Sequence, residues 1–495
     1  MLMPEPDPSV IARRREIARD LANLLPDGAV VADLAALKAW ESDALTAYRQ
    51  PPLIVVLPET TEQVSQVLRY CHGNGVKVVP RGAGTSLSGG ALPLADGIVV
   101  ALTKFTRILD IDTDNRTVTA QSGVTNLAIT HAVQDRGFFY APDPSSQVVC
   151  TIGGNIAENS GGIHCLKYGL TTNNVLGAQV VMMDGEVLQI GGKALDASGY
   201  DLMGVLTGSE GLLAVVTEVT VRILPKPPSV SGLLVAFPTI ESAGATVAAV
   251  IGAGIIPAAM EMMDRISIGA TEAFVKSGYP SDAEAVLIVE LDGPPEEVAE
   301  LTERVMDIAR AEGATSVRAS RDEAERQLFW AGRKAAFPAM ARLMPDYYVM
   351  DGTIPRGRMP EVLSRIGEIG RRYQLAVANV FHAGDGNLHP LIMYDASEAG
   401  MTEQAEACGA EILRLCVEVG GVLTGEHGVG VEKRDLMPTM FSDDDLKQQQ
   451  RLKCAFDPRQ LLNPGKVFPT LHRCAELGRM HVHRGQVPFP DLPRF

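Results

Sequence analysis

Three histidines of this 495-residue chain stand in settings that chemistry can use. An apolar run at 377–382 ends in His382, and Ala383-Gly384-Asp385-Gly386-Asn387 leads into a second run that opens on Leu388-His389. The Gly-Asp-Gly-Asn turn predicts a hairpin with His382 and His389 at facing ends, where two imidazoles can share one divalent ion. Thr424-Gly425-Glu426-His427-Gly428-Val429-Gly430 sets a carboxylate beside a third histidine, with glycines that permit close packing against another group. Two histidines and one glutamate leave coordination positions open, as a catalytic metal requires. Taken singly, each histidine reads more readily as a partly buried side chain with its hydrogen bonds satisfied. Taken together, the two motifs favour function. His481 and His483 face one side of a strand without a third ligand and read as surface. Arg333 and Lys334 follow Trp330 on a helical stretch; arginine binds a carboxylate bidentately, but a lone basic pair on a helix is more often a solvated face, and its residues alone do not promote it.

Glycine-rich loops form a second constellation. Residues 82–90 hold four glycines directly after a strand-like run, and glycine lets backbone N–H groups converge on an anion. The loop is not the dinucleotide fingerprint, because Leu87 stands at the third glycine position, and it lacks the Gly-Lys-Ser/Thr ending of a P-loop. Alone it reads equally as a cofactor cradle or a tight turn. Residues 141–146 and 151–162 add further glycines, hydroxyls and amides, so three loops in one lobe suit an extended ligand wrapped along its length.

The elements that must position these groups are legible in outline. A polar helical leader is predicted over 9–25. Residues 53–57 form a short strand, Thr60 and Gln63 resemble a capping box, and Val64, Val67, Leu68 and Cys71 recur at helical spacing until Gly73-Asn74-Gly75. A strand at 76–79 completes a β-α-β opening into the first glycine loop. Hairpins are predicted for 107–112 with 117–121 and for 178–183 with 187–190. A long strand at 212–224 runs into Pro225-Lys226-Pro227-Pro228, read as a linker and domain boundary. Beyond it, helices at 295–312 and 321–342 and a strand at 285–291 indicate a second α+β unit. The weakly polar run 243–260 reads as a buried helix with a loop at its end, not a membrane span.

Composition narrows the partners. The net charge of −16 disfavours nucleic acid and requires any anionic ligand to find a local positive site. Seven cysteines without a Cys-x-x-Cys argue against a disulfide framework and for a reducing compartment, and no ferredoxin-like cysteine run is present. The first 25 residues do not read as a signal peptide.

Together these segments resemble the FAD-linked oxidase family that includes vanillyl-alcohol oxidase, and within it the flavin-dependent 2-hydroxy-acid dehydrogenases. The likeness runs from about residue 53 to 495, and the tail 470–495 is its most specific part. It implies an α+β fold: a two-lobed FAD-binding domain of the vanillyl-alcohol oxidase type over 51–228 and a ferredoxin-like α+β substrate (cap) domain over 229–425. A helical leader over 1–50 precedes them, and a segment over 426–495 completes the FAD site and carries a basic tail that could dock a partner. By that resemblance Pro80, Arg81, Gly82, Ala83, Gly84, Thr85 and Ser86 cradle the pyrophosphate of FAD. Asp143, Ser146, Gly153, Gly154, Ala157, Asn159, Gly162, Glu210, Gly211 and Asn463 line other parts of the cofactor. Thr85 occupies the place where some relatives carry a flavin-linking histidine, so FAD is expected to be noncovalent. His382, His389 and Glu426 are implied as ligands of a divalent metal, zinc or similar, His427 as general base and Arg333 as the clamp on the substrate carboxylate.

The implied activity is oxidation of glycolate to glyoxylate by hydride transfer to the flavin, with D-lactate or another short 2-hydroxy acid as the alternative substrate. Relatives acting on 2-hydroxyglutarate carry a lysine where Val349 stands in Tyr348-Val349-Met350-Asp351, which favours a short monocarboxylate. Electrons pass to a partner or quinone, and the resemblance implies a second flavin-binding subunit and an iron–sulfur subunit. The expected location is the cytoplasm or the inner face of its membrane. Two readings compete: a flavin-carrying subunit without its own active site, and a metal hydrolase, which leaves the glycine loops unexplained.

Overall fold

The computed structural model describes residues 3–194 and 199–469. The expected docking tail at 470–495, with His481 and His483, lies outside the described residues. The chain opens on two short helices, Pro8–Ala12 and Arg14–Ala22, where one leader helix was expected.

The first lobe is a four-stranded sheet in the order Val30–Val31, Ile54–Val56, Gly97–Ala101, Lys77–Arg81; its last three strands are parallel. The crossover helix Thr61–Asn74 starts where the sequence places its cap: Thr60 Oγ1 accepts from Gln63 N at 3.2 Å. It stops at Gly75 with φ 69°, a left-handed turn that glycine makes without steric cost. Val64, Val67, Leu68 and Cys71 are fully buried against the sheet.

The second lobe is antiparallel, in the order Ile108–Asp112, Thr117–Gln121, Val215–Arg222, Val175–Val181, Val187–Gly191. Both predicted hairpins are present. The strand expected over 212–224 is shorter, because residues 210–214 turn: Glu210 has φ 50°, and Leu212 N donates to Ser209 O. Leu224–Pro225 then pairs with Phe138–Phe139 before the chain enters the next sheet at Ser229.

That sheet has seven antiparallel strands in the order Ser316–Ala319, Ser229–Phe237, Ala285–Gly293, Ala259–Asp264, Ala376–His382, Pro390–Tyr394, Asp346–Val349. Its first four strands, numbered along the chain, lie in the order 4-1-3-2 of a ferredoxin-like unit, and the other three extend it. The run 243–260 divides as predicted into helix Ile240–Gly252 and a loop, with Met260 on the following strand. Strand alternation sorts the side chains between two cores. Leu233, Val235, Phe237, Met260, Met262 and Phe381 face helices Ile240–Gly252, Pro295–Ala311, Met359–Tyr373 and Met401–Glu418. Leu234, Ala236, Ala259, Met263, Ala378 and Val380 face helices Arg265–Phe274 and Glu323–Met340. By the same alternation Glu261 and His382 belong to this second face, opposite each other in register.

Candidate functional site

The hairpin predicted around Gly-Asp-Gly-Asn forms as expected. His382 ends its strand and bridges to Asn387, Asp385 Oδ1 accepts from Asn387 N at 3.0 Å, and Gly386 turns with φ 84°. A Cβ at Gly386 would lie 2.3 Å from Ile354 O, so a side chain there has no space. The His382 and His389 rings stand edge to face, 5.1 Å apart.

Glu426 reaches both from a loop held by two buried carboxylates. Asp351, fully buried, accepts from Gly425 N, Glu426 N and His427 N at 3.1, 3.2 and 2.9 Å and from the Thr424 hydroxyl. Glu210, from the other side, accepts from Val429 N and Gly430 N at 2.6 and 2.7 Å. The glycines of this loop work as the sequence suggests: a Cβ on Gly428 would lie 2.2 Å from Glu158 Oε2. So placed, Glu426 Oε1 lies 3.0 Å from His389 Nε2 and 3.3 Å from His382 Nε2. His427 stacks flat on His389 with centroids 4.9 Å apart.

The charge states follow from the surroundings. Burial alone would lower His382, but Glu261 at 2.6 Å from Nδ1, with Glu426, outweighs it and holds the imidazole well above its ordinary value. Burial would raise Glu426; the hydrogen bonds and charges of His382 and His389 instead keep it well below the usual carboxylate range. At His427 burial outweighs the nearby Asp351 and Glu426 carboxylates. Burial pushes it down to about 4, and its Nδ1 is buried without a partner. It is a neutral imidazole at pH 7.

The residues present fit a divalent ion. A tetrahedral centre with bonds of about 2.0–2.2 Å has donor–donor edges of roughly 3.3–3.6 Å, and Glu426 Oε1 stands 3.3 and 3.0 Å from two imidazole nitrogens. The Glu261 carboxylate on His382 Nδ1 is the outer partner that fixes a ligating histidine's tautomer. The four residues whose ligand atoms all lie within 4.8 Å of one another are Asp351, His389, Glu426 and His427, a set that holds two of the three ligands expected and not His382.

A cavity of about 490 Å³ joins these residues to the glycine loops. Pro80, Arg81, Gly82, Ala83, Gly84, Thr85, Ser86, Ser146, Gly153, Gly154, Ala157, Glu210 and Gly211 line it, and so do His389, Glu426 and His427. The cradle is close-built: a Cβ on Gly82 would lie 2.3 Å from Thr151 Oγ1, and one on Gly153 would lie 2.7 Å from the Ser122 Cβ. The residues fit an extended cofactor laid along the loops.

Four residues expected on the cofactor are not among those lining the cavity. Asp143 receives His164, Asn159 Oδ1 accepts from Thr172 N, Gly162 packs on Asp143, and Asn463 Nδ2 donates to Gly90 O and Glu210 O. They shape the loops from behind. His382 is likewise absent from the lining. Arg333 departs furthest from expectation: it is 4 % exposed, and its Nε and Nη2 lie 2.8 and 2.7 Å from Glu261 Oε2. The physical cause is Glu261, a carboxylate on an inward strand position that needs a cation. Lys334, its neighbour, lines the cavity instead.

Sequence reasoning missed Glu261, Asp351 and Glu158. Glu261 carried a signal, a lone carboxylate inside the apolar run 258–263; Glu158 and Asp351 carried none that spacing reveals.

A family model described as the C-terminal domain of FAD linked oxidases matches residues 226–467, and one described as an FAD binding domain matches residues 52–191. The chain is 56 % identical over 456 residues to glycolate oxidase subunit GlcD of Escherichia coli (strain K12), covering 92 % of this chain and 91 % of that one. It is 33 % identical over 443 residues to a D-lactate dehydrogenase of Archaeoglobus fulgidus, covering 87 % and 96 % of the two chains. Among solved structures, p-cresol methylhydroxylase with substrate bound has the same fold, with a TM-score of 0.80 over 94 % of this chain and 98 % of that one at 16 % identity.

Proposed function

The chain belongs to the FAD-linked oxidases, and from that membership we propose that it oxidises glycolate to glyoxylate. The observation that carries the reading is the single cavity shared by the loop Gly82–Ser86 and by His389, Glu426 and His427. FAD held along the glycine loops supplies the hydride acceptor, and a divalent ion held by His382, His389 and Glu426 would acidify the substrate hydroxyl. His427 takes the hydroxyl proton. It is neutral at pH 7, and because Nδ1 is buried, Nε2, 3.9 Å from Glu426 Oε1, is the nitrogen left to meet a ligand. Asp351 and Glu210 orient the loop that carries this base by accepting its backbone N–H groups. Arg81 is the cation of the glycine-loop end, stacked over Trp40 and donating to Ser42 O at 2.8 Å. Thr85 offers no imidazole for a flavin bond, so FAD is bound noncovalently in this reading.

One observation supports a short substrate. Val349, where a lysine would serve a distal carboxylate, is buried in the core beneath helix Glu323–Met340. D-lactate is the second reading, favoured by the likeness to a D-lactate dehydrogenase. We further assign the chain to an assembly in which a second flavin-binding subunit and an iron–sulfur subunit take the electrons, since the relative it resembles over most of its length is itself named a subunit. Among the described residues no helix is long and apolar enough to cross a membrane, and any association with the cytoplasmic membrane is peripheral in this reading.

Anaerobic mixing of the FAD-loaded protein with glycolate, D-lactate, L-lactate and D-2-hydroxyglutarate tests the proposal. Glycolate is expected to bleach the flavin fastest and D-lactate next. Preference for D-2-hydroxyglutarate, or an unbleached flavin with all four, contradicts it.

A further inference from the structure

Glu158 is the last residue of helix Ile152–Glu158 and lines the cavity, yet neither the metal cluster nor the base uses it. The helix stops at Asn159, whose backbone turns left-handed with φ 54°, and carbonyls of its last turn are answered from another part of the chain. Gly208 N donates to Ile156 O at 2.7 Å and Glu210 N to Ala157 O at 2.8 Å, so the turn 207–211 is bound to the end of the helix. That junction sets a second carboxylate beside the first. Glycines of two other loops mark how close they come. A Cβ on Gly428 would lie 2.2 Å from Glu158 Oε2 and 3.0 Å from Glu210 Oε1, and one on Gly90 would lie 2.9 Å from Glu158 Oε1 and 3.5 Å from Glu210 Oε2.

The two carboxylates are not supported alike. Glu210 accepts from Val429 N and Gly430 N at 2.6 and 2.7 Å, and Lys433 and Lys466 add their charges. Glu158 has the Ser86 hydroxyl and the Lys433 charge, set against burial, Glu210 and Asp43, which raise it well above the usual carboxylate range. Its place at a helix C-terminus, the negative end of the helix dipole, works against a charge as well. Its Oε2 is buried without a hydrogen-bond partner. Two carboxylates in one buried site do not both ionise, and the less supported one takes the proton. A carboxylic acid is a donor as well as an acceptor, and Glu158 stands on the cavity wall, so the acceptor it lacks is one that a ligand brings. The other charged or titratable groups of that wall are Arg81, Lys334 and the cluster of His389, Glu426 and His427.

We propose that Glu158 and Glu210 hold one proton between them and that Glu158 Oε2 presents it, as a hydrogen-bond donor, to the cofactor laid along the glycine loops. Glu158 is thereby a further cofactor-binding residue. Glu210 is its positioning partner, since the carboxylate that stays charged is the one that holds Val429 N and Gly430 N on the loop of the base. Reduction gathers negative charge on the acceptor atoms of a flavin, and a fixed donor aimed at charge that develops favours the reduced form. The inference rests on the reading of the glycine loops as the FAD site and is independent of which acid is oxidised.

The test uses the FAD-loaded full chain, reduced by light so that no substrate is needed. Infrared difference spectra, reduced minus oxidised, are expected to show the C=O band of a protonated carboxyl that shifts in D2O, and Glu158→Gln is expected to remove it. Glu158→Leu keeps neutrality and loses the donor. It should lower the midpoint potential by about 30 mV, the two-electron equivalent of a tenfold weaker preference for the reduced form. Glu158→Gln, still a donor, should hold the potential near the wild-type value. A wild-type spectrum without the band, a band that survives Glu158→Gln, or an unchanged potential in Glu158→Leu overturns the assignment. If Glu158→Leu does not fold, the infrared result on Glu158→Gln decides alone. A wild type that light reduces and no 2-hydroxy acid does would defeat the glycolate reading and leave this one standing on its spectrum.

Discussion

Helix Glu323–Met340 reaches two histidine–carboxylate clusters, through Trp330 and Arg326 to Glu290 and through Arg333 to Glu261, and they have opposite fates. In one, His164 Nδ1 lies 2.8 Å from Asp143 and Nε2 lies 3.2 Å from Glu290, whose other oxygen receives Trp330 Nε1 at 2.6 Å and the Arg326 guanidinium. Burial would lower His164, but the two carboxylates outweigh it and hold the ring well above its ordinary value. Both nitrogens are spent, and the pair ties a glycine loop to the seven-stranded sheet. In the other, burial outweighs the Asp351 and Glu426 carboxylates near His427, no hydrogen bond answers its buried Nδ1, and the proton is driven off. Only this second cluster lines the cavity. The same two residue types make a structural cation where every lone pair is answered and a base where one is left open.

That contrast can be broken by substitution. The largest effect belongs to His427→Asn, which is expected to slow flavin reduction by glycolate about 10²- to 10⁴-fold, the range for losing a general base, while FAD content stays at the wild-type level. Stopped-flow reduction and a flavin-to-protein absorbance ratio read both. A smaller effect is expected at Glu261→Gln, which removes the carboxylate that orients His382 and balances Arg333: affinity for a divalent ion should fall about 10- to 100-fold. Competition with a chelator measures it, and an unchanged metal affinity would remove Glu261 from the site.

The smallest catalytic effect belongs to His164→Gln. Reduction by glycolate should stay within threefold of the wild type, whereas stability falls by about 1–3 kcal/mol through the buried carboxylates left unanswered. The pH dependence has a definite sign. A histidine raised above its unfolded value contributes fully below about 6.5 and loses that contribution as pH climbs through the folded value. The gap in Tm between the wild type and His164→Gln should therefore be widest in mild acid and close as pH rises. A gap that widens with pH, or a His164→Gln protein as slow as His427→Asn, would erase the distinction between the clusters.

What the sequence made legible was local. Thr60, Gln63 and Gly75 mark both ends of a helix because capping is decided within one turn, and Gly-Asp-Gly-Asn brings the His382 and His389 rings together because a turn needs no distant partner. The glycine loops announced a cradle because positive φ and close approach, as at Gly84 and Gly428, exclude other residues. Long-range pairings were hidden. Nothing near Glu261 reveals that its strand lies in register with His382, 121 residues away, or that Arg333 will fall on it from a helix above. The orientation of that helix, which exchanges Arg333 for Lys334 at the cavity, is set by Phe329, Trp330, Ala336 and Met340 packing on the sheet. Asp143, Asn159, Gly162 and Asn463 belong to loops recognised correctly, but which side of a loop meets the cavity depends on what packs behind it. Asp351 escaped notice because its work is done on the Thr424 hydroxyl and on backbone N–H groups 74 to 76 residues further along the chain.

The claim that one cavity unites the two constellations is tested most directly by a crystal structure of the FAD-loaded protein soaked with oxalate. The account predicts the flavin ring at the His427 end of the cavity, with the ligand between ring and imidazole at reacting distances of about 3–3.5 Å. A ring at the far end of the glycine loops, with the ligand outside the reach of His427, would contradict it.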